Sequence, residues 1–200
     1  MFIVKAAMAA VLLSVSTPAT TSAPVLWSVM EASFPRGQCL RHSDFLLDLD
    51  FCPTWTRPLP MSQAGLVAEV ARDPWKADFL FGNKPGLAGF GSHSYNSYNY
   101  PDHYIRHQNF RMRISKLPAA GAPDHVQFTK DASFYEWWPG IAGDAGEPLS
   151  SVSLQSYNFP TQFVRHSNYR FHLGDMRHER MTIRQDATFV HHLIHACLWC

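Results

Sequence analysis

One phrase is written three times along this 200-residue chain. The first copy runs Met30-Glu31-Ala32-Ser33-Phe34-Pro35, then Arg41-His42-Ser43-Asp44-Phe45. The second runs Asn96-Ser97-Tyr98-Asn99-Tyr100-Pro101, then Arg106-His107-Gln108-Asn109-Phe110. The third runs Gln155-Ser156-Tyr157-Asn158-Phe159-Pro160, then Arg165-His166-Ser167-Asn168-Tyr169. The Arg-His pairs fall 65 and then 59 residues apart (41 to 106, 106 to 165). A period near 60 in three copies predicts one supersecondary unit, too small to bury its own apolar face and obliged to stack on its copies. Any site built from the repeated polar residues is then expected up to three times.

Each copy carries the same strand signals. In the third, Val152 to Tyr157 alternates apolar and polar, Phe163 to His166 forms a second strand, and Tyr169 to Leu173 alternates again after a Ser167-Asn168 turn. The fourth strand is expected over Asp186-Ala187-Thr188-Phe189-Val190, with Asp131 to Tyr135 and Lys76 to Leu80 as its counterparts. Connectors of one type, Pro85-Gly86-Leu87-Ala88-Gly89 and Pro139-Gly140-Ile141-Ala142-Gly143, separate the copies. No convincing helix is expected; Gly65 to Arg72 is the one weakly helical window. About twelve strands in three pseudo-identical units predict an all-β fold, a barrel closed and capped by hairpins, which is the β-trefoil. The pseudo-repeats divide at about 24–90, 91–148 and 149–200.

The start reads as an export signal over residues 1–23: Lys5, an apolar run from Ala6 to Val15, and small residues Thr21-Ser22-Ala23 at the cleavage point. A secreted protein follows, and in that compartment Cys39, Cys52, Cys197 and Cys200 should be oxidised, with three pairings open. A net charge of +1 from 17 basic and 16 acidic residues gives no reason to expect nucleic acid or a membrane surface as partner. The tail, with His191, His192, His195 and a Cys-x-x-Cys, could hold zinc, but exported cysteines pair, so no metal and no cofactor is expected.

A site for a small neutral sugar needs donors and acceptors aimed at neighbouring hydroxyls beside an apolar wall. The His of Arg-His and the Asp of Asp-Ala-Ser/Thr-Phe recur with that chemistry. They also fit a buried hydrogen-bonded pair that pins each hairpin. The phrases Ser-Tyr-Asn-Tyr-Pro, Tyr-Ile-Arg-His-Gln-Asn-Phe and Asp-Ala-Thr-Phe resemble the arabinose-binding domain of the α-L-arabinofuranosidase B family, the family 42 carbohydrate-binding module. The resemblance covers about residues 25–190. It implies arabinofuranose pockets at His107 with Asp131 and at His166 with Asp186. Asn109, Asn168, Tyr98 and Tyr157 are further candidates, with turn geometry and core packing as their alternative roles. The arginines Arg41, Arg106 and Arg165 read as structural.

The first copy departs from the pattern, since Lys76 stands where Asp131 and Asp186 are expected. Lysine only donates, so this pocket is expected to be dead and His42 structural. None of the glutamates at 31, 69, 136, 147 and 179 recurs at a matched place, as the facing carboxylates of a hydrolase would need, and Glu136 beside Trp137-Trp138 reads as a surface residue. The expectation is therefore a secreted, non-catalytic protein binding an arabinofuranose-containing glycan or polysaccharide. An α-L-arabinofuranosidase, or the accessory domain of one, is the alternative, and a protein-binding β-trefoil the second.

Overall fold

The computed structural model describes residues 26–56, 58–143 and 148–195. The expected export signal, Met1 to Ala23, and Cys197 and Cys200 lie outside the described residues.

The period-two stretches become strands. Twelve are seen among the described residues: β1 (Leu26–Ala32), β2 (Gln38–Ser43), β3 (Leu46–Phe51), β4 (Phe81–Pro85), β5 (His93–Ser97) and β6 (His103–Gln108), then β7 (Arg111–Lys116), β8 (Phe134–Trp137), β9 (Ser151–Ser156), β10 (Gln162–Ser167), β11 (Arg170–Asp175) and β12 (Phe189–His195). All join one antiparallel sheet in the order β10-β11-β3-β2-β1-β12-β9-β8-β5-β6-β7, with β4 between β1 and β5. Further ladders β9–β10, β7–β11 and β3–β7 close the sheet on itself, which pairs edges that would otherwise be open.

The hairpins β2–β3, β6–β7 and β10–β11 have matching ladders, each ending on a two-residue tip. Those tips are Asp44-Phe45, Asn109-Phe110 and Asn168-Tyr169, and all six residues have φ between 49° and 63°. Such turns match the twist of their strands but require left-handed backbone at both positions. Asp and Asn tolerate it; an aromatic residue there costs about 1–2 kcal/mol that glycine would avoid.

Three helices correct the expectation of a nearly helix-free chain: α1 (Gln63–Arg72), α2 (His125–Asp131) and α3 (Met181–Gln185). The Ser62 hydroxyl caps α1 by accepting from the Gly65 amide at 3.1 Å. The other two are too short for a 3.6-residue pattern to show. As a result the fourth strand of each segment starts later than expected, at Phe81, Phe134 and Phe189, each three residues after an aspartate at or next to the end of a helix or 3₁₀ turn. Those phenylalanines are fully buried in one core with Met30, Leu47 and Val152. Each contributes about 1.5–3 kcal/mol by leaving water.

Cys39 pairs with Cys52, tying β2 to the segment after β3. The tail also differs from the expectation. Residues as far as His195 continue β12, laid against β1 from Ala32↔Phe189 to Trp27↔His195. His191 and His192 take separate partners there, Ser28 at 2.7 Å and Glu31 at 2.6 Å.

Candidate functional site

The second segment builds its pocket from three directions. His107 comes from β6, Asp131 from the end of α2, and Asn158 from the turn after β9. Arg106 binds Asp131 Oδ2 at 2.8 Å, with its guanidinium 4.9 Å from the centre of the Phe128 ring. That fixes the carboxylate and aims Oδ1 at His107 Nε2, 3.3 Å away. Asn158 bridges the pair: its Nδ2 donates to Asp131 Oδ1 at 2.8 Å while its Oδ1 lies 3.0 Å from His107 Nε2. Ser156 donates to the same Asn158 oxygen at 2.9 Å. The network is satisfied with the His107 proton on Nε2. Gln127 of α2 adds a 2.7 Å bond to Asp131 Oδ1. Phe110 and Phe159, 5.4 Å apart, form an aromatic wall over a pocket of about 330 Å³.

The same arrangement stands around His42, against expectation. Asp78, not Lys76, occupies the carboxylate position. It receives Arg41 at 3.1 Å and Asn99 Nδ2 at 2.9 Å, and its Oδ1 lies 3.7 Å from His42 Nε2. Asn99 Oδ1 is 2.8 Å from His42 Nε2 and accepts from Ser97 at 2.7 Å. Burial holds the His42 imidazole below the usual histidine range. Lys76 turns away into a buried pair with Glu69 Oε2 at 2.9 Å and lies 5.4 Å from the Trp55 ring centre. Its role is to lock the 3₁₀ turn Pro74–Phe79 onto α1. Glu69 also accepts from Thr56, and the two hydrogen bonds hold its carboxyl down at about 2.

The third pair is also brought together, but more loosely. Arg165 binds Asp186 Oδ2 at 3.1 Å, while His166 Nε2 stands 4.0 Å from Asp186 Oδ1. The position of Asn99 and Asn158 in the repeated phrase is held by Ser33. Its hydroxyl is buried without a hydrogen-bond partner. His166 Nε2 meets the Phe34 carbonyl oxygen at 2.9 Å instead. Burial lowers the His166 imidazole and raises the Asp186 carboxyl.

The four further candidates lie apart from the His–Asp contacts. Asn109 and Asn168 hold the left-handed first positions of their hairpin tips, and Asn109 also lines the second pocket. Tyr98 packs edge-on against Trp27 at 4.9 Å, and Tyr157 stacks on Tyr135 at 5.6 Å. Glu136 is no surface residue. Its side chain is nearly buried and accepts from Tyr95, Asn83 and Trp138. Asn99, Asn158 and Gln127 were not singled out from the sequence. Two of them had a signal, for each follows a candidate tyrosine inside the repeated phrase.

The second-pocket geometry finds its context in comparison with known proteins. The model of the alpha-L-arabinofuranosidase B (ABFB) domain matches residues 62–191. A probable alpha-L-arabinofuranosidase B from Aspergillus clavatus is 32% identical over 83 residues, which cover 42% of this chain and 14% of that protein. A GH54 α-L-arabinofuranosidase soaked with a cyclic sulfate inhibitor superposes with a TM-score of 0.63 at 21% identity, over 90% of this chain and 33% of that one. The BEL beta-trefoil gives a TM-score of 0.51 at 12% identity, over 90% of this chain and 98% of that one. The chain thus spans a third or less of the arabinofuranosidases it matches. Since the family model takes in well over half of the sequence, the chain belongs to the alpha-L-arabinofuranosidase B (ABFB) domain family.

Proposed function

We propose that this chain is a secreted, non-catalytic β-trefoil of three pseudo-repeats that binds arabinofuranose side chains of polysaccharides or glycans. The observation that carries the reading is the pocket at His107, Asp131 and Asn158. A carboxylate and an imidazole, bridged by the Asn158 amide, sit beside two aromatic rings that line a space of about 330 Å³ suited to one pentose ring. The carboxylate accepts from vicinal hydroxyls, Arg106 holds it in orientation, and Phe110 with Phe159 offers an apolar face to the sugar's C–H groups. Asp131 is the one carboxylate lining this pocket, and hydrolysis by the usual glycosidase route uses two facing each other. Binding without bond cleavage follows. The Cys39–Cys52 bridge supports an oxidising, extracellular setting.

Calorimetric titration with arabinofuranosyl-decorated xylan tests the reading. Saturable heat that is lost in Asp131→Ala combined with loss of the remaining His–Asp carboxylates supports it. Absence of heat with every arabinofuranosyl ligand, or release of free arabinose by the purified chain, overturns it.

A further inference from the structure

Phe159 lines the pocket at His107, and the next residue, Pro160, lines a different one of about 270 Å³. The two pockets flank one turn and have no lining residue in common. We propose that the second binds a sugar ring carrying a carboxylate, a hexuronic acid residue, with Trp137 as the stacking face and Arg184 as the partner of the carboxylate. The inference stands apart from the function proposed above, since it uses none of the His–Asp pairs.

Trp137 ends β8 with 51% of its surface exposed. An exposed side chain that is free to turn loses that freedom on binding. This one is already held. Its indole N–H donates to Gln155 Oε1 at 2.9 Å, and Gln155 Nε2 donates in turn to the Pro160 carbonyl. Phe163 meets the ring edge-on, with centroids 6.1 Å apart. The indole is therefore an apolar face set in place before a ligand arrives, fit for the C–H side of a pyranose ring.

No aspartate or glutamate lines the space, and two arginines do. Arg177 is already engaged, since its guanidinium binds Asp175 Oδ2 at 2.6 Å. Arg184, half-buried in α3, makes no side-chain hydrogen bond or ion pair among the described residues. One cation beside an aromatic face is thus left for an anion, and a guanidinium takes a carboxylate through two parallel N–H bonds. The Thr161 hydroxyl donates to Asp175 Oδ2 at 3.3 Å and keeps its lone pairs for a sugar hydroxyl.

The same corner of the fold recurs in the other segments but is filled differently. Trp137 stands three places after Phe134, as His192 does after Phe189 and Lys84 after Phe81. Gln155 pairs with the residue after Phe134, and Glu31 with the residue after Phe189. In that second case His192 lies 2.6 Å from Glu31, and the Cys39–Cys52 bridge takes the places of Phe163 and Met176, counted from Arg41 and Arg165. Glu31 lines that corner and would repel a second carboxylate. Lys84 lies 6.0 Å from the Tyr104 ring centre, with no tryptophan beside it in the pocket it lines. Among the described residues the corner at Trp137 alone joins a fixed tryptophan to an unengaged arginine.

The test is an NMR titration of the full chain with methyl β-D-glucuronoside, following the indole N–H signal of Trp137. A saturable shift is expected. Methyl β-D-glucoside, which has a hydroxymethyl group in place of the carboxylate, should bind about tenfold more weakly, the worth of one charge-assisted hydrogen bond. Arg184→Gln should weaken the glucuronoside by about the same factor. No shift at Trp137, equal affinity for the two sugars, or an undiminished response in Arg184→Gln overturns the inference. Tighter binding of benzoate than of the glucuronoside also overturns it, by making the site one for planar acids. The two sugars are compared on the wild-type chain, so a fold defect in the variant cannot obscure the result. A response to methyl α-L-arabinofuranoside at His107 bears on the function proposed above alone, so the two readings fail separately.

Discussion

His107 and Asn158 meet at 3.0 Å although 51 residues of chain separate them. One belongs to the second segment and the other to the third, so the pocket exists only where two segments join. His42 with Asn99 repeats the relationship 57 residues apart. The asparagine is thus the strap that holds the histidine and aspartate of its neighbouring segment together.

Replacing Asn158 by alanine leaves a buried imidazole N–H and one carboxylate lone pair unmatched, a loss of about 1–3 kcal/mol. Chemical denaturation should show that drop, and calorimetry should show the His107 site lost. Asn158→Asp should lose the same site and be less stable than Asn158→Ala, because a second carboxylate would face Asp131.

Phe110 offers a separation of stability from binding. Its left-handed backbone favours glycine by about 1–2 kcal/mol, which offsets the lost ring contact with Phe159. Phe110→Gly should therefore unfold at an unchanged or slightly higher urea concentration. Its affinity at the second pocket should fall by about tenfold, the worth of one aromatic contact. Equal losses of stability and affinity would show the ring to be structural.

Stability should fall on acidification below neutrality. His42 and His166 have folded pKa values below the ordinary 6.5, so the unfolded chain takes up protons first. Their contribution is complete above that value and disappears as pH falls through the folded ones. Asp186 is shifted upward by burial and acts in the opposite sense: its contribution is complete in acid, below the ordinary 3.8, and is lost as pH rises through its raised pKa. Urea midpoints should be lower at pH 5 than at pH 7.5, and His42→Gln should flatten the difference. An unchanged slope in that variant would remove His42 from the account.

Lys76 and Glu69 should behave as a unit. Lys76→Met alone leaves the buried Glu69 carboxylate with Arg72, which is half exposed, as its remaining cation and should lower the melting temperature by several degrees. Lys76→Met with Glu69→Leu should recover much of that loss, since no unpaired charge remains. Neither variant should change sugar binding at His107, because the pair lies outside that pocket.

The hairpins were legible because alternation around each Arg-His pair is uninterrupted and the Asn-aromatic tips mark the turns. The helices were not, because five or seven residues, as in α3 and α2, are too few for periodicity to outweigh Phe128 or Thr182 as strand formers. The carboxylate of the first pocket was misplaced by two residues. Lys76-Ala77-Asp78-Phe79 mimics Asp-Ala-Ser-Phe, while the true counterpart is Asp78-Phe79-Leu80-Phe81, with the core phenylalanine three residues on. Tyr98 and Tyr157 drew attention from the asparagines beside them. Within each phrase it is the asparagine that meets the histidine and aspartate, while the tyrosine packs against another ring.

The pairing of β1 with β12 places Trp27 opposite His195. The two flanks of the described barrel therefore leave it side by side, and tension between them would peel the two strands apart one rung at a time, the weakest direction for a sheet. A load entering at the hairpins arrives instead at β2 and β6, which are anchored by full six-pair ladders to β3 and β7. A tether attached at one flank alone would leave those hairpins mechanically independent of the seam.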